Sequence, residues 1–469
     1  MPPDKRRETR PSAFFISRSV KFARRFQFAR RAHGISCGVA SPKKGGKILI
    51  TAIILFVLTY VLLLLLPKYR PYVALSSAVL FVALRILPVG NILGEIDFNV
   101  LMMIAGTMGT VSLFIDSKMP ALMADVLLEK VPNVKWAITS LALFAGIVSA
   151  FVDNVATVLM VAPVALAIAK KLNINPVPMI IAIAVSSNLQ GAATLVGDTT
   201  SILLGGYAGM DFIDFFVFQG KPSMFWAVEL GALVSMFVLL WIFRKEDRKI
   251  TTGARTVVTD YVPSVLLGGT IILLILASFL PSKPDLINGY ICMGLFAVGL
   301  LYNAVRHGAS GIVKPLKDID YDTLLLLAGL FVVIGGIKAA GVIDELAALF
   351  VRISGDNIFL IYTIIVWASV ILSAFIDNIP YVATMLPVVQ GIATMLGIEP
   401  YLLYFGLLTG ATLGGNLTPV GASANITGIG ILRKDGYEVT TGDFMKIGIP
   451  FTLAAVISGY LFIWFVWGM

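Results

Sequence analysis

Two acid–amide pairs, Asp153 with Asn154 and Asp377 with Asn378, sit in the middle of long apolar stretches. A carboxylate at membrane depth is costly unless it is neutralised or solvated, so by default it marks an ion path. Such an Asp could serve only to cap the next helix, but Ser or Asn would cap it without burying a charge. A second constellation is Asn188, Thr194, Gly197, Asp198, Thr199, Thr200 and Ser201, mirrored by Thr412, Asn416, Thr418, Pro419, Gly421, Ser423 and Asn425. Gly, Pro and small polar residues break a helix, and broken backbone at membrane depth survives only where it lines a cavity or is buried by protein. Hydroxyl, amide and freed carbonyl oxygens suit a small hard cation, with Na⁺ expected at Asp153, Asn154, Asp377 and Asn378, while the N-terminal ends of half-helices favour an anion. A Gly-rich packing face between helices is the bland alternative.

These residues recur because the chain is duplicated. The segment 149–164, SAFVDNVATVLMVAPV, returns 224 residues later as SAFIDNIPYVATMLPV with eight of sixteen positions identical. The same offset aligns Thr194, Val196 and Gly197 with Thr418, Val420 and Gly421, and an offset of 223 aligns Ile96, Asp97, Ala105 and Gly106 with Ile319, Asp320, Ala328 and Gly329. The organisation read from this is a basic tail at 1–47, a first transmembrane repeat at 48–243, a cytoplasmic linker at 244–260 and a second repeat at 261–469. Long-period self-similarity in an apolar chain points to a transporter whose site lies between related halves.

The elements that must position the two constellations follow from composition. Hydrophobic residues make up 58%, charged residues 13%, and the mean hydropathy is +0.91, so lipid is the solvent for most of the chain. Candidate crossings fall near 48–66, 72–89, 98–115, 178–206, 223–243, 261–280, 288–306, 320–341, 401–432 and 446–468. Two further apolar pairs, 136–170 and 358–397, are each split at an Asp-Asn step and read as hairpins that add no net crossing. Five crossings per repeat is odd, so the second repeat must be inverted. The expected fold is an all-α integral membrane protein of two inverted-topology repeats of five transmembrane helices, each with a re-entrant helical hairpin and a broken helix.

Beyond residue 47, 18 Lys and Arg fall with the loops containing Lys68, Lys118, Lys170, Arg244, Lys317 and Arg433, and only Lys221, Lys283 and Arg352 fall with the alternate loops. The positive-inside rule places the first set in the cytoplasm and both residue 48 and the C-terminus outside. The expected location is the inner (cytoplasmic) membrane. Residues 1–47 conflict with this, because 13 Lys or Arg there belong on the cytoplasmic side. Two readings account for them: a wrongly assigned start, with initiation near Val39 or Leu49, and a basic tail lying disordered on anionic lipid heads.

Other features carry less. Glu229 is a candidate proton carrier without an acidic counterpart; Lys338 and Arg85 read as snorkelling side chains. Asp211 with Phe212 and Asp443 with Phe444 follow the broken segments and read as anchors of interfacial turns. Cys37 and Cys292 support neither a disulfide framework nor a thiolate metal site, and His33 and His307 make no zinc or acid–base cluster.

In the strings SAFVDN with Pro163, NLQGAATLVGD, SAFIDN with Pro387, and GGNLTPVGASAN, the chain resembles the ion transporter superfamily. That superfamily includes arsenite permeases of the ArsB type, NhaD-type Na⁺/H⁺ antiporters, the P protein and citrate-transporter-like permeases. The resemblance covers residues 48–469. It implies inverted repeats, two re-entrant hairpins, a scaffold domain and a transport domain that moves as an elevator. It assigns the hairpin-tip polar residues to Asp153, Asn154, Asp377 and Asn378, and the broken-helix residues to 194–201 and 418–425. One departure is that many relatives carry GDPPN where this chain has Gly197, Asp198, Thr199, Thr200 and Ser201.

Three acids, Asp153, Asp198 and Asp377, are expected to converge with no Arg in the core, which repels a multivalent anion unless cations bind first. The leading expectation is a Na⁺- or H⁺-coupled secondary transporter of a small inorganic oxyanion, arsenite or a carboxylate. Na⁺/H⁺ antiport and a passive anion channel are the alternatives. The Gly421–Ala424 string GASA faintly resembles an intramembrane serine protease motif, but neither histidine is placed to act as base. The near-identical surroundings of the paired aspartates also argue against a shared-proton dyad. No enzyme and no cofactor beyond the coupling ion are expected. The expected partners are the ion substrate, the lipid bilayer and a second copy in a homodimer, with no nucleic acid. An ATPase subunit would enter only for arsenite efflux, since the chain has no ATP-binding loop.

Overall fold

The computed structural model describes residues 46–250 and 255–469, and Ile50–Met469 form one compact unit. The basic tail, with His33, Cys37 and the alternative start near Val39, falls outside the described residues. The first ten helices are α1 (Gly46–Leu65), α2 (Arg70–Ala83), α3 (Ile92–Glu95), α4 (Phe98–Asp116), α5 (Met119–Leu128), α6 (Val134–Ser149), α7 (Asn154–Lys171), α8 (Val177–Gly191), α9 (Thr199–Ala208) and α10 (Met224–Ile242). The next ten follow in the same order: α11 (Val262–Ser278), α12 (Ile287–His307), α13 (Ser310–Lys317), α14 (Tyr321–Ala340), α15 (Val342–Ser354), α16 (Ile358–Ser373), α17 (Asn378–Leu396), α18 (Tyr401–Gly414), α19 (Ser423–Lys434) and α20 (Thr441–Trp467).

Each helix thus has a counterpart ten elements later, and the packing respects it. Helix α4 packs most extensively on α12, and its counterpart α14 packs on α2, the counterpart of α12; α10 packs on its own equivalent, α20. Such cross-pairing is what a twofold relation between copies produces. Glycines at equivalent positions permit the closest approaches. A Cβ on Gly106 would stand 2.4 Å from the Cys292 carbonyl carbon, and one on Gly329 would stand 2.8 Å from the backbone of Ala74. Small residues let membrane helices approach and gain dispersion contacts where lipid offers no hydrophobic driving force. Asp97 and Asp320 cap α4 and α14 in the same way, accepting from Val100 N and Thr323 N at 3.0 Å.

Among the described residues, eight helices are long and apolar enough to cross a membrane: α1, α4, α7, α10, α12, α14, α17 and α20. Two expected crossings are shorter. Helix α2 has 14 residues and α11 has 17, roughly 21 and 26 Å at 1.5 Å per residue. Helix α2 starts after a 3₁₀ turn with Pro71 in its first turn, and past its end Arg85 turns left-handed at φ 55°. The crossings expected at 178–206 and 401–432 are each broken into two helices. Short helices α5 and α15, one before each Asp-Asn unit, were not expected. On α15, Ile343, Ala347 and Ser354 bury one face at helical spacing. A two-residue β-hairpin, Val217–Phe218 against Lys221–Pro222, also went unanticipated; its turn takes φ 51° at Gln219 and 79° at Gly220.

Ion pairs between loops stay within the two sets defined by charge. Lys170–Asp435, Arg255–Glu129, Arg306–Asp260 and Lys135–Asp247 join loops of the basic set, and Lys283–Asp211 joins loops of the other.

Candidate functional site

Both Asp-Asn steps fall between two helices. Helix α6 ends at Ser149 and α7 begins at Asn154; Asp153 caps α7, its Oδ1 accepting from Val155 N at 3.0 Å and Ala156 N at 3.1 Å. At the equivalent place Asp377 caps α17, accepting from Ile379 N at 3.1 Å. Pro163 and Pro387 lie inside α7 and α17, each withholding one helical N–H.

Each turn is pinned to the broken helix of its own unit. The hydroxyl of Thr194 donates to Ala150 O, and that of Thr418 donates to Ala374 O at 2.5 Å. The approach is tight enough to demand glycine. A Cβ on Gly197 would lie 2.5–2.7 Å from the carbonyl oxygens of Gly191, Ser149 and Ala150. One on Gly421 would lie 2.6 Å from Gly415 O and 2.8 Å from Ala374 O.

A buried amide network runs between the units. Asn154 Nδ2 donates to Asn188 Oδ1 at 2.9 Å, and Asn188 Nδ2 donates to Thr412 O at 2.9 Å and Asn416 Oδ1 at 3.1 Å. Asn416 Nδ2 closes the path on Val185 O at 2.9 Å. Asn188 and Thr412 occupy equivalent positions, so their contact lies where the two copies meet. Thr200 bridges the same region, donating to Asp198 Oδ2 at 2.7 Å and sharing a hydrogen bond with the Thr412 hydroxyl at 3.0 Å. Asp198 is 4% exposed and lies within electrostatic reach of Asp153 and Asp377. Asn425 Nδ2 bonds Gly415 O and Thr418 O, closing the second broken segment on itself.

No arginine is buried among the described residues, but the expectation that none meets the three acids fails at Asp377, which the half-buried Arg70 reaches. Arg70 Nη1 donates to Asp377 Oδ2 at 2.8 Å, and its Nε donates to Leu63 O at 3.3 Å. Tyr60 adds a bond to Pro380 O at 2.7 Å and another to the Thr384 hydroxyl. The α1–α2 corner therefore holds the second turn. Arg70 sits next to Lys68 at a span end and counts as a loop residue by sequence; nothing local points to a partner 307 residues away. No basic side chain pairs with Asp153 or Asp198 among the described residues.

The remaining expected residues separate by burial. Thr199 and Ser201 are buried with the whole first broken segment, whereas their equivalents diverge: Asn425 is buried, Ser423 is exposed, and neighbouring Val420 is 60% exposed. Asn378 is buried but its side chain makes no hydrogen bond among the described residues. Lys338 and Arg85 are exposed, Glu229 is half-buried on α10 away from the network, and Asp211 pairs with Lys283.

A family model described as citrate transporter (CitMHS) matches residues 60–410. The chain belongs to the citrate transporter family. Over 432 residues it is 31% identical to an uncharacterized transporter, Rv2685, of Mycobacterium tuberculosis, covering 89% of this chain and 100% of that protein. It is 27% identical over 452 residues to the P protein of Sus scrofa, covering 78% of this chain and 53% of that one. Among solved structures, the YdaH transporter of Alcanivorax borkumensis shares the fold at TM-score 0.57 and 16% identity, over 90% of this chain and 98% of that chain. MtrF of Neisseria gonorrhoeae, from a class of antimetabolite efflux pumps, matches at TM-score 0.53 and 14% identity, over 81% and 83% of the two chains. As a member of the citrate transporter family with multiple apolar helices, the chain is a multi-pass membrane transporter.

Proposed function

We propose that this transporter is a secondary active carrier that couples Na⁺ or H⁺ to a small inorganic oxyanion, arsenite or a carboxylate across the cytoplasmic membrane. The observation that carries the reading is the pairing of opposite needs in one region. Asp153 and Asp198 face no basic partner, while Arg70 brings positive charge to the second turn. Two uncompensated acids in low dielectric require a cation or a proton. The N-terminal ends of α7, α9, α17 and α19 all arise at these turns, and their dipoles favour a bound anion. The family's description as citrate transporters supports a carboxylate. In this reading the two sets of ten helices are inverted copies, the basic loops are cytoplasmic, the Asp-Asn units are re-entrant hairpins, and the working form is a homodimer.

Na⁺/H⁺ antiport is the second reading, favoured by Asp198, an acid present at one broken helix and replaced by Ala422 at the other. The test is purified protein in liposomes with a pH-sensitive dye, adding Na⁺, Li⁺, citrate, arsenite and sulfate in turn, with Asp153→Asn and Asp198→Asn as controls. A signal that requires an anion or arsenite and is lost in both variants is the expected result. A signal from Na⁺ or Li⁺ alone would replace the proposal with antiport, and anion current without any coupled ion would replace it with a channel.

A further inference from the structure

The two Asp-Asn turns carry the same sequence signature but are neutralised differently. At the second turn the guanidinium of Arg70 stands against Asp377, with side chains 23% and 12% exposed. A guanidinium keeps its charge at any pH the protein meets, so Arg70 occupies permanently the place a free cation would take beside that carboxylate. At the first turn neither Asp153 nor Asp198 pairs with a basic side chain among the described residues, and each has acids nearby: Asp320 near Asp153, and Asp153 and Asp377 near Asp198.

The hydroxyls differ in the same sense, although Asn425 Oδ1, at the position equivalent to Ser201, is also buried without a partner. Ser373 Oγ is used up, donating to Ala411 O at 2.5 Å, whereas its equivalent Ser149 Oγ is 0% exposed and bonds nothing. Ser201 Oγ is likewise fully buried and unpartnered. Ser149 Oγ and Asp198 Cβ come within 3.5 and 3.3 Å of the point where a side chain on Gly191 would start. Buried hydroxyls without partners ask for a water or an ion. Beside an uncompensated carboxylate, they supply the hard-oxygen donors a small cation takes.

We infer that Arg70 is a tethered counter-cation: it replaces a dissociable cation at Asp377, so that the coupled cation binds only in the first unit, one per chain. The inference rests on the cation-coupled reading above. It is tested by counting ions bound to the purified full-length protein, using radiolabelled Na⁺ at saturation with protons exchanged followed in parallel by dye. The expected count is one cation per chain in the wild type and in Asp377→Asn, and none in Asp198→Asn. It is two in Arg70→Gln, where the uncovered Asp377 recruits its own Na⁺ or proton, and one again in Arg70→Gln/Asp377→Asn. A wild-type count of two, loss of the single cation in Asp377→Asn, or a count of one in a folded Arg70→Gln overturns the inference while leaving coupling intact. Should Arg70→Gln fail to fold, Arg70→Lys and Asp377→Asn decide, one cation in each supporting the inference and any other count overturning it. A wild type that binds neither Na⁺ nor a proton overturns the coupled reading, and the inference with it.

Discussion

The first and second Asp-Asn turns share the contacts that tie them to their broken helices and differ in how their charge is neutralised. Both cap a helix through Asp, both are pinned by a threonine from the following broken helix, and both need a glycine at the closest approach. The first has two acids and unspent hydroxyls beside a buried broken segment; the second has one acid, an arginine and a partly exposed broken segment. A fixed backbone contact leaves little freedom once a copy folds around it, because a carbonyl oxygen cannot be moved aside cheaply. Side chains projecting from that frame can change one at a time, and this is where the two units have taken on different charge.

The sharpest test of the shared frame is Gly197→Ala against Gly421→Ala. Each puts a methyl group 2.5–2.8 Å from backbone oxygens, and overpacking of this kind costs about 3 kcal/mol. Both variants should lower the midpoint of thermal unfolding in detergent, and to a similar degree. Tolerance of Ala at 421 alone would show that the more open second turn yields, breaking the equivalence.

The difference in charge is exposed by Arg70→Ala, which strands Asp377. Breaking a buried ion pair costs about 3–5 kcal/mol, and the partial exposure of this pair brings the expected loss to about 2. Asp377→Asn on the Arg70→Ala background should recover most of it, measured as a double-mutant cycle on unfolding. Asp153→Asn, with no cation to strand, should change stability by less than about 1 kcal/mol. A loss at position 153 as large as that at 70 would mean that Asp153 has a partner of its own.

Much of this comparison could be read in the chain itself, because the duplication repeats short strings at a fixed offset and broken helices announce themselves through Gly and small polar residues. What the strings could not carry is which residue answers which across the molecule. Arg70 looks like a loop residue until the fold brings it to Asp377. Asn188 in an apolar helix and Asn416 in the turn after one are recognisable as polar residues in apolar surroundings, yet only the meeting of the copies makes them one network with Asn154. Ser423 shares its register with Thr199, but exposure is a property of neighbours, and the neighbours differ. Helices α5 and α15 are too short to stand out in the sequence beside spans of about twenty residues.

That network supplies the next contrast. Asn188→Ala leaves Asn154 Nδ2 and Asn416 Oδ1 without their partner inside a buried region, an expected loss of about 2 kcal/mol. The equivalent change, Thr412→Ala, removes one hydroxyl–hydroxyl bond to Thr200 and keeps the backbone carbonyl that accepts from Asn188. It should cost about 1 kcal/mol. Equal losses would place the polar connection on the hydroxyls and not on the amides.

The smallest effect expected is also the one that best isolates the shared frame from the divergent charges. Thr194→Val and Thr418→Val keep the shape of the side chain while deleting the hydroxyl that pins each turn. Each strands the carbonyl of Ala150 or Ala374, at a cost of about 1 kcal/mol. Because neither threonine is charged or bonded to an acid, the two losses should match even though the acids beside them do not. The same variants separate stability from transport. If the cation sits in the first unit alone, loosening that turn through Thr194→Val should weaken Na⁺ binding several-fold, while Thr418→Val should leave it unchanged at the same loss of stability. Equal weakening by both would mean that the frame couples the two turns, and that the cation senses the second turn as well as the first.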